Sequence, residues 1–139
     1  KGIGANRMDE FRYIRVQRVD GSVVVRFTEA NLRDQIIAEC IGFEVQQVMR
    51  EERPIKLIVD FTDVRSIASP VISALLVLRE KAVSDSISFG LCNVPVPIRE
   101  IYRTLQLEGT RFQVYDSVDH ALRAPGVIES NRPGAQMED

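Results

Sequence analysis

The sequence predicts a single α/β domain, a mixed, mostly parallel sheet of about five strands packed with about four α-helices. Three observations carry this. Runs rich in Val, Ile and Phe recur at strand length, amphipathic stretches of helical length separate them, and an Asp-Gly pair closes a hairpin near the front. The 139 residues suit one domain, and an apolar content of 45% is enough to fill one core.

Arg12 to Gln17 alternates apolar and polar residues, the period of a half-buried strand. Ser22 to Phe27 is its partner across Asp20-Gly21, because both residue types tolerate the positive φ of a tight hairpin turn. A helix follows over about 34–52, with Ile37, Ile41, Val45 and Val48 on one face, Asp34 as cap and Pro54 as terminator. The Leu57-Ile58-Val59 run does not alternate, so residues 56–61 form a strand buried on both faces. Residues 62–69 read as a loop, and Pro70 to about Ser84 as the second helix. Ile87 to Cys92 is a strand, and Pro97 opens a helix with Ile98, Ile101, Tyr102 and Leu105 on one face. Phe112 to Tyr115 is a short strand, and Asp116 caps a last helix through Leu122. The expected boundaries are a flexible segment over 1–8, the domain over 9–123 and a disordered Pro- and Gly-bearing tail over 124–139.

The composition excludes several functions. A net charge of -2 with interspersed signs gives no electrostatic reason for nucleic acid to bind. No apolar run reaches the roughly 20 residues of a membrane span. Cys40 and Cys92 stand apart in apolar surroundings and read as buried thiols, so a cytoplasmic protein is expected. The single histidine, His120, has no second histidine with which to bind metal, and no Gly-rich phosphate loop occurs. Asp60 and Asp63 read as a strand end and a local turn rather than a catalytic pair. Neither a catalytic residue set, a metal site nor a cofactor is expected, and the chain is not expected to be an enzyme.

Function is sought where the central strand ends, since ligand sites of such sheets lie beyond the carboxyl ends of strands. Ser69 precedes a proline that starts a helix, which favours Ser69 as N-cap, contributing ~1 kcal/mol relative to alanine. Of the helix that follows, Ile72, Leu75, Leu76 and Val83 can face the sheet, leaving Val71, Ala74, Val77 and Leu78 as a second apolar surface. Few elements remain to cover that surface, so a protein partner or self-association is expected there.

Leu57-Ile58-Val59-Asp60-Phe61-Thr62-Asp63-Val64, then Ile67-Ala68-Ser69-Pro70-Val71-Ile72-Ser73-Ala74-Leu75-Leu76, then Leu105 to Gly109, Phe112 to Asp116 and Ala121-Leu122 resemble the STAS domain of anti-sigma factor antagonists over about residues 11–123. The resemblance implies a regulatory protein that binds an anti-sigma factor which is also a serine kinase, and that a phosphatase resets. It places Ser69 at the phosphorylated serine, with Ser66, Ala68, Pro70, Val71, Ser73, Ala74 and Val77 as partner-binding candidates. Ala68 stands where that family usually has Asp, and Val71 and Ser73 stand for glycines. A STAS scaffold module that is never phosphorylated is the alternative. A small-ligand domain, for a nucleotide or a lipid, ranks behind both.

Overall fold

Asp20 and Gly21 take positive φ angles of 50° and 81° and join β1 (Ile14–Val19) to β2 (Ser22–Phe27), with Val19 opposite Ser22 across the turn. Both residues therefore have the backbone that a two-residue hairpin demands. The computed structural model describes residues 11–107 and 112–125; the expectations for residues 1–8 and for the tail beyond 125 lie outside them.

After β2 come β3 (Asn31–Leu32), α1 (Gln35–Glu52), β4 (Lys56–Asp60), β5 (Ser66–Ile67) and α2 (Ser69–Ser84). The chain continues through β6 (Ser88–Cys92), α3 (Val96–Thr104), β7 (Gln113–Tyr115) and α4 (Val118–Arg123). The main sheet has the order β1-β2-β4-β6-β7, antiparallel only at the β1–β2 edge. β3 and β5 form a separate two-stranded parallel ladder that the sequence reading left within loops.

Asp34 caps α1 as expected, its Oδ1 accepting the Ile37 N–H at 2.8 Å, and Arg53 in a left-handed conformation ends the helix before Pro54. Ile41, Val45 and Val48 are buried beneath it. The cap of α4 differs from expectation. Ser117, not Asp116, accepts the His120 N–H, at 3.1 Å, because Ser117 is the extended residue immediately before the helix. On α3, Ile98 and Tyr102 are buried while Ile101 and Leu105 stay exposed, because the short helix lays only one narrow stripe on the core.

The sheet divides the core. Leu57 and Val59 point into the large cluster shared with α1, α2 and α3, whereas Ile58 joins Val24, Cys92 and Ala121 in a smaller cluster beneath α4. The period of two along β4 sends successive side chains to opposite faces, and helices cover both. That places β4 at the centre of the domain and its carboxyl end among the loops that carry the candidate site.

Candidate functional site

The loop after β4 is fixed by the last residue of the strand. Asp60 is buried, and its Oδ1 accepts hydrogen bonds from the Thr62 N–H at 3.0 Å, the Thr62 hydroxyl at 2.7 Å and the Asn93 side-chain amide at 3.0 Å. One carboxylate thus ties the loop after β4 to the loop after β6. The local bond expected of Asp63 belongs to Asp60; Asp63 itself sits at φ 71° and pairs with Arg26 at 2.8 Å in solvent. Cys92 lies against Asp60, and burial, then the neighbouring carboxylate, push its thiol up to about 12. This cluster holds loops in place and leaves the thiol protonated. Among the described residues no group of three or more His, Cys, Asp or Glu is placed to hold a metal.

Six residues on from Asp60, β5 docks on β3. Ser66 donates through its hydroxyl to Asn31 Oδ1 at 2.8 Å, and the Ala68 N–H donates to the Leu32 carbonyl at 2.8 Å. The ladder holds Ala68 extended, at φ -107° and ψ 163°, and the Ala68 carbonyl accepts from Ile72 N–H at 3.2 Å. Ala68 is therefore the N-cap of α2, and it has no side-chain acceptor to offer. The expectation that Ser69 caps the helix is overturned: strand pairing fixes the extended residue one position earlier than Pro70 alone suggests. Ser69 is instead the first helical residue, and it is exposed.

This position limits what the helix end can give an anion. Pro70 has no N–H, and the Val71 N–H already donates to Ala68 at 3.0 Å. A group on Ser69 meets the helix dipole but few free amides in that turn.

Of the other predicted site residues, Ser73 and Val77 are exposed with Ser69, and the four-residue spacing puts all three on one face of α2. Ser66, Ala68, Pro70 and Ala74 are half-buried beside them. Val71 is not part of the surface. It is 0% exposed, as is Leu78, because α2 is covered by α1 as well as by the sheet and so buries a wider stripe than one sheet-facing row.

The sequence reading missed the contribution of α1. Ala38, Gly42 and Phe43 of α1 face Pro70, Ala74 and Val77 of α2 across a mostly apolar groove of about 380 Å³. Phe43 is 63% exposed and Val77 51%, so large apolar side chains flank the groove from both helices. A Cβ added at Gly42 would meet nothing within 4 Å, so this glycine leaves the groove open rather than permitting a tight contact.

The family model for the STAS domain matches residues 13–121, most of the chain. No curated protein matches the sequence. Among solved structures, an anti-sigma factor antagonist from Mycobacterium paratuberculosis is similar, with 24% identity, a TM-score of 0.68 and coverage of 78% of this chain and 89% of that one. RsbS from Moorella thermoacetica is similar at 16% identity and a TM-score of 0.66, covering 78% of this chain and 91% of that one. The Bacillus cell fate determinant SpoIIAA in its phosphorylated form shares 16% identity at a TM-score of 0.60, with 78% of this chain and 96% of that one covered. Likeness at these identities is a likeness of fold.

Proposed function

The chain belongs to the STAS domain family, and from that membership we propose that it is a regulatory module of the anti-sigma factor antagonist kind, docking a protein partner and performing no chemistry of its own. The partner in this reading is an anti-sigma factor that is also a serine kinase. The docking face is the exposed stripe of Ser69, Ser73 and Val77 with the groove beside it. One observation carries the reading: a solvent-exposed serine hydroxyl in the first turn of α2 shares a helix face with a large exposed apolar side chain.

The physics of control follows from that placement. A phosphoryl group passing from ATP to the Ser69 Oγ, with loss of the hydroxyl proton and release of ADP, adds about -1.5 to -2 charges at neutral pH. In the free protein that charge stays in water near a helix N-terminus, so the fold tolerates it. In a closed apolar contact it would be desolvated without a partner, so the complex opens. A phosphatase then restores the docking form.

Intact mass after incubation with a candidate kinase, with and without ATP, tests the modification, and titration of the partner tests its effect. Ser69→Asp is expected to melt within a few degrees of the wild type and to bind the partner at least tenfold more weakly. Equal affinity would replace this reading with that of a STAS scaffold which is not phosphorylated. The scaffold reading has its own support in the shortage of free amides around Ser69 described above.

A further inference from the structure

Past Val77 the groove between α1 and α2 is followed by further hollows along the same two helices. A second hollow of about 260 Å³ shares Gln46 with it, and a third of about 580 Å³, at the far ends of both helices, shares Met49, Arg50 and Asp85 with the second. The lining changes along this path. The upper part is mostly apolar, with Glu39 its one charged residue, whereas the lower part carries Arg50, Arg53 and Lys81 against one carboxylate, Asp85. Lys81 continues the four-residue stripe of Ser69, Ser73 and Val77.

Cations in the last turn of a helix offset its carbonyl dipoles, which accounts for Arg50 and Lys81 each on its own helix. It does not account for their lining, with Arg53, two neighbouring hollows that follow on from a mostly apolar groove. These three side chains are exposed and make no ion pair among the described residues. Three cations are too few to hold a nucleic acid on a chain of net charge -2. They suit a short acidic stretch.

We propose that this whole path seats one helical segment of the partner protein, apolar where it crosses Val77 and Phe43 and acidic where it crosses Arg50, Arg53 and Lys81. The proposal rests on the docking reading above and specifies its partner. The 16 residues of α2 run about 24 Å, so a helical segment that fills this path has a similar length. Apolar burial along the upper half supplies most of its affinity, and the charged end fixes its direction, because reversal would lay carboxylates on Val77 and apolar groups on the cations.

The test places the photoreactive amino acid benzoylphenylalanine, in the full chain, at Ser73, Val77 or Lys81 in turn and sequences the crosslinked segment. The expected result is one partner segment reached from all three positions, with Asp or Glu within a turn of the residue reached from position 81. A synthetic peptide of that segment should then lose at least tenfold in affinity for the Arg50→Glu, Lys81→Glu double variant. It should recover when its own carboxylates are replaced by lysine. These substitutions lie at exposed positions, and unchanged melting confirms the fold. Crosslinks from Ser73 alone, crosslinks to a second copy of this chain, a segment without acidic residues, or affinity unmoved by charge reversal would overturn the proposal and leave docking at the upper groove standing. Crosslinks from none of the three positions would remove the docking reading and this one together.

Discussion

Ala68 holds the one position at the head of α2 where a side-chain oxygen would close the helix, and it has none. Ala68→Asp supplies that acceptor and is expected to raise stability by about 0.5–2 kcal/mol in chemical denaturation. Ser69→Ala, by contrast, removes no cap and should leave stability within about 0.5 kcal/mol, so any effect on partner binding reports the surface alone. The two cysteines differ as sharply. Cys92 is fully buried and its thiol stands at about 12, while Cys40 is half-buried. A thiol reagent at pH 8 should modify one cysteine in the native protein and the second only on unfolding. The same contrast sets a pH dependence. Below about pH 9 both folded and unfolded chains keep the Cys92 proton. Between the ordinary value of 9.0 and about 12 only the unfolded chain loses it. Stability therefore falls as pH rises through that window, and Cys92→Ala should flatten this part of the fall in denaturation curves.

Among the elements, α4 is the one that depends most on a distant residue. Six residues are too few for a helix to hold itself, even with Ser117 as cap. Lys56, at the start of β4, donates its ammonium to the carbonyls of Ala121 at 2.7 Å, Leu122 at 3.1 Å and Ala124 at 2.5 Å. It closes the C-terminal end that the helix cannot close alone, though its partial burial lowers the lysine pKa. Lys56→Met keeps the stem and removes the donors. It should cost about 1–3 kcal/mol and speed amide exchange in α4 while α1 stays protected. Elements such as α1 and β4 were legible in the sequence because periodicity and punctuation agreed, as at Asp34, Pro54 and Leu57 to Val59. β3 and β5 were not, since two-residue strands carry no period. Their pairing moved the start of α2 and so misled the reading of Ser69. The groove was hidden for a related reason: Phe43 and Val77 become neighbours only when α1 packs on α2.

For the molecule as a whole, β4 is the shared wall of two cores. Ile58 is 0% exposed within the thinner one, and Ile58→Ala should cost about 2–5 kcal/mol in a single cooperative transition seen alike by circular dichroism and fluorescence of a label at Cys40. A loss confined to α4, with the rest unmoved, would show the thin layer unfolding by itself. The strand order carries one more consequence. Apart from the β3–β5 ladder, strands lie across the sheet in the order in which a ribosome makes them. Each new strand joins the edge left by the one before, so no early strand waits for a late one to be inserted between it and its neighbour. The exposed moment comes between β4 and β6. Until Ser88 to Cys92 emerge, β4 presents unpaired backbone groups along an edge whose middle, Leu57-Ile58-Val59, is apolar. The nascent chain is most prone to self-association after β4 has emerged from the ribosome and before β6 has followed it.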